Sequence, residues 1–251
     1  MSAKVLSLVK SKRLLMPRIG TRKLYYLLEN DLKALAVGRD KLFKILRANQ
    51  MLIKPKKKYH STTNSHHRFR KHKNQIKQLE FTRPEQVWVS DITYIGNRKN
   101  PTYLALITDA YSKKIMGYNV SDSLNVKGSL KALEMALKNR TYKNEPVIHH
   151  SDRGLQYCSN EYQKILEKNA ILPSMTEQYD PYENAIAERI NGILKQEFAI
   201  DKYDMDLEIK TKLVQNSIKI YNNFRPHLSN SMLTPQQMHK QKELKRKSYK
   251  K

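Results

Sequence analysis

After Pro84 the chain switches to short apolar runs punctuated by turns, and the order of those runs permits few folds. EQVWVSDITYIG is rich in Val, Ile, Trp and Tyr; TYLALITD follows within a few residues, and KIMGYNV comes after a short YSK turn. Three consecutive antiparallel strands account for this pattern. Residues 125–140 then carry Val126, Leu130, Leu133 and Leu137 at helical spacing. PVIHHSD reads as a buried strand, residues 159–170 as a helix, ILPSMT as another strand, and a further helix begins near residue 183. The order β-β-β-α-β-α-β-α predicts a mixed sheet covered by helices, a single α/β domain over residues 83–198.

Charge separates this segment from its flanks. Of 48 Lys and Arg against 23 Asp and Glu, residues 1–80 hold 21 basic and only 4 acidic side chains, whereas residues 81–200 hold 15 and 14. A net charge of +25 far exceeds what solubility requires and points to a polyanionic partner. Residues 21–31 and 39–50 read as two short amphipathic helices, with Leu24, Leu27 and Leu28 in the first and Leu42, Ile45 and Leu46 in the second. DLKALAVG is expected to supply the turn between them. On the second helix Lys41, Lys44 and Arg47 share the side opposite the apolar stripe, the arrangement of a helix offered to DNA; a small bundle with a solvated basic face would give the same pattern.

Residues 54–82 are predicted to be a basic linker, and 199–251 a helical segment with a cationic tail. The loose group His60, His66, His67 and His72 has no carboxylate or thiol beside it, so it reads as part of that linker. One cysteine, Cys158, excludes an internal disulfide and a Cys-rich zinc site and suits a reducing cytoplasm. No signal-peptide pattern or apolar run of membrane-spanning length is present.

Three acidic residues demand explanation, because a carboxylate on a strand of a buried sheet is costly unless paired or metal-bound. Asp91 lies inside the first strand, and Asp152 ends PVIHHS, next to Arg153 and Gly154. In ENAIAERINGILKQEF an apolar stripe of Ile186, Ile190 and Ile193 opposes a polar cluster of Asn184, Glu188, Asn191 and Lys195. Three carboxylates with no activated nucleophile suit magnesium, which takes oxygen ligands and in pairs activates a water or hydroxyl and stabilises the leaving oxygen. Asp109 reads as a turn residue, His150 either as a neighbour of Asp152 or as a core histidine, and Arg225 and His227 either as DNA contacts or as anchors of the C-terminal segment.

WVSDITYI around Asp91, HHSDRGLQY around Asp152 and ENAIAERINGILKQE around Glu188, with 35 residues between Asp152 and Glu188, resemble the retroviral-integrase-like DDE transposases. Within them the chain resembles the second-frame protein of the insertion-sequence-three family. YNNFRPHLSNSMLTPQQM is similar to that family's C-terminal signature, and residues 15–53 to its helix-turn-helix segment. The resemblance implies an RNase H-like core with a five-stranded sheet, in which Asp91, Asp152 and Glu188 bind two magnesium ions, manganese substituting. It implies cleavage at the ends of a mobile element and transfer of the freed 3′-hydroxyl to a second phosphodiester, with Lys195, Asn184 and Asn191 contacting double-stranded DNA. It also implies a multimer on DNA at the cytoplasmic nucleoid, and a first-frame protein or fusion partner, which supplies a further helix-turn-helix and a leucine zipper that this chain lacks. A nuclease of the same fold that hydrolyses without joining, or a DNA-binding inhibitor without chemistry, would share much of this pattern.

Overall fold

The structure is a computed structural model and describes residues 1–54, 71–95, 101–177, 184–202 and 205–241. His60, His66, His67, Glu183 and the cationic tail from 242 lie outside the described residues. Four helices open the chain: α1 (Ser2–Leu15), α2 (Thr21–Leu27), α3 (Glu29–Ala34) and α4 (Arg39–Ala48). The pattern did not announce α1, because only Val5 and Val9 are buried and its other leucines are scattered around the helix.

Two expectations for this region are corrected. The helix expected over 21–31 breaks at Leu28, and the first half of DLKALAVG is helical, so the turn is confined to its second half. Leu24, Leu28 and Leu32, all buried, carry one apolar stripe across the break, so packing continues past the point where propensity fades. The actual turn follows Leu35. There Ala36 adopts a left-handed backbone with φ 51°, and Val37 N donates to Leu32 O at 2.8 Å, a Schellman closure that reverses the chain into α4. On α4 Leu42 and Leu46 are buried while Lys41, Lys44 and Arg47 are exposed, as the helical period required.

The central segment forms β1 (Val87–Tyr94), β2 (Tyr103–Asp109), β3 (Ile115–Ser121), α5 (Val126–Lys138), β4 (Val147–Ser151), α6 (Leu155–Cys158), α7 (Asn160–Lys168), β5 (Ile171–Met175) and α8 (Ala185–Glu197). Its sheet runs β3-β2-β1-β4-β5, antiparallel across the first three strands and parallel from β1 to β4 and β4 to β5. Alternation along β2 assigns the two faces. Ala105 and Ile107 join Trp88, Met116 and the helices α5 to α7, whereas Leu104 and Leu106 join Ile190, Ile193 and Leu194 of α8. At Gly117 a β-carbon would lie 2.0 Å from Ala132 O, so glycine there lets α5 press onto β3.

Residues 71–82, expected from their charge to end the linker, pack on the sheet. Gln75 N donates to Ser174 Oγ at 2.9 Å, and Ile76, Leu79 and Phe81 lie against Val87, Val89 and Ala187. Three spaced apolar side chains within a basic stretch are the reason. After α8 come α9 (Leu207–Phe224), a 3-10 turn (Leu228–Asn230) and α10 (Pro235–His239). Among the described residues no helix is long and apolar enough to cross a membrane.

The C-terminal segment is latched to the β2–β3 turn. Asn222 both donates to Ile115 O and accepts from Ile115 N at 3.0 Å, Tyr221 donates to Lys113 O at 2.7 Å, and Asn230 donates to Ser112 O at 2.7 Å. Asp109 is a structural turn residue: buried, it accepts from Glu85 N, Ser112 N and Ser112 Oγ. His239 of α10 completes the cluster, with Nδ1 3.0 Å from Ser112 Oγ and Nε2 3.2 Å from Glu85 Oε1. Burial pulls the His239 pKa down, but the Asp109 carboxylate 3.7 Å from its Nδ1 and its hydrogen bond to Glu85 outweigh that and leave it raised above 6.5. Glu85 is lowered despite burial, through bonds from His239, Thr141 N and Tyr142 N.

A raised histidine contributes stability that is complete below its unfolded value near 6.5 and is lost as pH rises through the folded value. A depressed carboxylate contributes stability that is present above its unfolded value near 4.5 and is lost as pH falls through its folded value. The latch is therefore strongest between these limits. In thermal unfolding followed across pH, His239→Gln should lower the melting temperature most in that window and flatten the decline above neutral pH; an unchanged alkaline limb would refute this assignment.

Candidate active site

Parallel pairing of β1 with β4 brings two acids together. The register runs Val87 with Ile148, Trp88 with His149 and Val89 with His150. Continuing that register two residues brings Asp91 near Asp152, which directly follows β4, and the Asp91 carboxyl feels its charge. Both side chains are half-buried. The Asp91 carboxyl is pushed up to about 7, first by burial and then by the charge of Asp152, with a smaller push from Glu188. That mutual repulsion records the approach of three acids from three separate elements.

Asp91 is held by Asn191 of α8, whose Nδ2 donates to its Oδ2 at 2.6 Å. About two turns earlier, at the N-cap of the helix, Asn184 Nδ2 donates to Ser90 O at 3.0 Å. These two amides stitch α8 to β1, and between them Glu188 rises at the sheet edge, exposed and with no hydrogen bond or ion pair among the described residues. Asp152 Oδ1 accepts from Gly154 N at 3.0 Å, and a β-carbon at Gly154 would lie 2.9 Å from that oxygen. Lys195, two turns beyond Glu188, is half-buried; burial lowers its pKa, and Asp201 and Asp91 oppose that through their charges.

Sequence reasoning grouped Asn184, Glu188, Asn191 and Lys195 on one helix face; in the structure Asn184 and Asn191 reach β1, and Asp91 lies within electrostatic range of Asp152, Glu188 and Lys195. It did not foresee that the amide donors of Asn184 and Asn191 are engaged inside the protein. Their side-chain oxygens are buried with no hydrogen-bond partner among the described residues. Lys41, Lys44 and Arg47 sit on α4, a separate surface. No group of three or more His, Cys, Asp or Glu among the described residues is closed around a metal-sized point. The donor chemistry nevertheless fits a hard cation: carboxylate and amide oxygens only, with a half-buried pair of like charges that a cation would relieve.

The opposite face of β4 offers no nucleophilic alternative. His149 is held neutral, its pKa lowered to about 3 by burial, and Ser90 Oγ and the Tyr162 hydroxyl lie 2.7 and 2.9 Å from its Nε2. His150 is buried with Nδ1 2.9 Å from Ser174 Oγ, a core histidine. The Cys158 thiol is buried and pushed up to about 11, chiefly by that burial. Arg225 and His227 are buried in the C-terminal segment, so they anchor it rather than face outward.

Replacing Asn191 with Ala removes a charge-assisted hydrogen bond from Asp91. It should cost about 1.5–3 kcal/mol in metal-free urea unfolding; a cost near zero would mean that the amide does not hold Asp91.

Two models of the integrase core domain match, over residues 82–181 and 169–235. A 31 kDa protein of insertion element IS600 from Shigella sonnei is 34% identical over 86% of this chain and 79% of its own length. Transposase InsF of insertion sequence IS3A from Escherichia coli K12 is 35% identical over 61% of this chain and 54% of its own length. Among solved structures, an integrase in a simian T-cell lymphotropic virus intasome covers 90% of this chain and 76% of its own, with TM-score 0.55 and 18% identity, which bears on the fold alone. The catalytic core of HTLV-2 integrase covers 62% of this chain and 97% of its own, with TM-score 0.50 and 19% identity. With this core, and with a relative so similar over most of both lengths, the chain belongs to the insertion-sequence-three family of bacterial DNA transposases, polynucleotidyl transferases of the integrase superfamily.

Proposed function

We propose that Asp91, Asp152 and Glu188 are the catalytic carboxylates of this transposase and that they hold two magnesium ions, for which manganese can substitute. What supports this reading is that Asp91 on β1 feels the charge of Asp152, which directly follows β4, and that Glu188 lies on the helix that Asn184 and Asn191 fasten to β1. The HTLV-2 integrase core was solved in complex with magnesium, which supports the choice of cation. Bound as a pair, such ions activate the attacking water or 3′-hydroxyl and stabilise the leaving oxygen.

The protein's own part is positioning. Asn191 orients Asp91, and Gly154 N orients Asp152. Glu188, exposed and free of internal bonds among the described residues, is the acid that would complete the set holding the ions. Lys195 supplies a positive charge beside the site for the scissile phosphate. Cys158, His149 and the Ser90 hydroxyl bonded to His149 are all buried, which argues against their serving as nucleophiles in a covalent intermediate.

On this reading α3, its turn and α4 form the helix-turn-helix within residues 1–53, with Lys41, Lys44 and Arg47 facing DNA. Residues 83–198 form the catalytic core, and 199–251 the C-terminal segment. The protein works as a multimer on double-stranded DNA at the cytoplasmic nucleoid, joined by a first-frame protein or fusion that reads the element ends.

Strand transfer with a pre-cut end substrate and magnesium should fall at least about a thousandfold, a loss of about 4 kcal/mol, in Asp91→Asn, Asp152→Asn and Glu188→Gln alike. End-DNA binding should persist. Full activity in any one of the three would remove that residue from the catalytic set.

A second outcome concerns affinity. Wild-type binding should weaken with salt, and Lys41→Gln, Lys44→Gln and Arg47→Gln should each flatten the logarithmic salt slope by about 0.9 if each neutralises one phosphate. Unchanged slopes would place DNA elsewhere.

A further inference from the structure

Glu188 has no bond of its own among the described residues, so its position is set by wherever α8 is held. Asn184 and Asn191 hold the face of α8 that looks at β1. The opposite face is buried, with Ile190, Ile193 and Leu194 packed in the core, and at its far end it carries a polar anchor, Glu197, nine positions beyond Glu188 and therefore about 14 Å along the helix and on its back.

Glu197 is gripped from two sides. Arg225 donates Nε to Oε2 at 2.9 Å and Nη2 to Oε1 at 2.7 Å, a two-pronged pair. Lys23 of α2 donates to Oε1 at 3.1 Å, and the Glu197 backbone oxygen accepts from Arg18 N at 3.0 Å. Arg225 is itself fixed: 1% exposed, it lies over the Tyr221 ring at 5.8 Å, and Tyr221 is tied to Lys113 O. Although burial pushes the Glu197 carboxyl up, Arg225 and Lys23 outweigh it and keep it below the ordinary range, so it stays charged. Breaking one member of such a buried group strands the others.

We infer that Glu197 is a positioning residue for Glu188, through which Arg225 of the C-terminal segment and Lys23 of the N-terminal helices both set the seating of the catalytic helix. The inference rests on the catalytic role proposed for Glu188. It gives the Arg-Pro-His stretch a task inside the protein: Arg225 faces the back of α8 and not DNA. It also makes the N-terminal helices a second handle on the same residue, so that a shift of those helices on DNA is transmitted to α8 through the Lys23–Glu197 ion pair and the hydrogen bond from Arg18 N to Glu197 O.

The test uses the full chain with end DNA and magnesium. Arg225→Lys keeps the charge but loses the two-pronged geometry, and Lys23→Met keeps the length but loses the charge. Both should lower kcat for strand transfer by about tenfold or more, the scale on which small misplacements act, with KM for DNA within about twofold and circular dichroism unchanged. Amides of α8 should exchange faster with deuterium while those of α5 and β2 do not, and adding Glu197→Gln to either variant should cause little additional loss. Should Arg225→Lys fail to fold, Lys23→Met, which leaves the Arg225 pair intact, decides alone. Wild-type kcat and α8 exchange in a folded variant would overturn the inference, as would a rise in KM with kcat unchanged. Glu188→Gln run alongside separates the two levels: an active Glu188→Gln defeats the catalytic reading itself, whereas an inactive one beside a fully active Lys23→Met defeats only the coupling.

Discussion

Two carboxylates brought close where the parallel β1–β4 pair ends are the constraint around which the rest of the molecule is arranged. Asp91 and Asp152 repel, and Asp91 is driven to about 7 as a result of burial and of that repulsion. A fold retains such a pair only if surrounding contacts over-determine it. Here they do. β1 is bonded on both edges, Asn191 pins one aspartate, and Gly154 N pins the other. The third acid is treated differently: Glu188 stands on an exposed position of a helix whose two faces are anchored elsewhere. The arrangement is two acids held by hydrogen bonds and one left exposed without a bond among the described residues, an oxygen-donor set that would suit hard cations under the proposed function.

The elements outside the sheet serve this seating. The C-terminal segment reaches back to the β2–β3 turn through Asn222, Asn230 and His239, and to α8 through Arg225. The N-terminal helices reach α8 through Lys23 and Arg18. Both basic flanks therefore converge on the helix that carries Glu188. Buried ion pairs of this kind add little net stability, because desolvation offsets their attraction, but they fix geometry when every partner is satisfied.

Much of this was legible in the sequence, for identifiable reasons. The strands after Pro84 alternate or run apolar, so their order and the mixed sheet followed from periodicity. The polar face of α8 followed from spacing alone, since Asn184, Glu188, Asn191 and Lys195 fall on one side at about 100° per residue. What escaped was whatever depends on contact between distant segments. Nothing near Asn191 announces that its amide turns toward Asp91, 100 residues earlier, or that Glu197 meets Arg225 and Lys23. Helix α1 escaped because its apolar residues are not periodic, and the break at Leu28 because the leucine stripe runs straight through it. Residues 71–82 were masked by their charge, although Ile76, Leu79 and Phe81 give them a packed side.

Anomalous diffraction from crystals of the protein bound to its end DNA in manganese tests the central claim most directly. Two peaks about 3.5–4 Å apart are expected, one within ligand distance of both Asp91 and Asp152, the pair completed by Glu188. Manganese absent from that edge of the sheet, or bound there with Glu188 turned away from both ions, would contradict it.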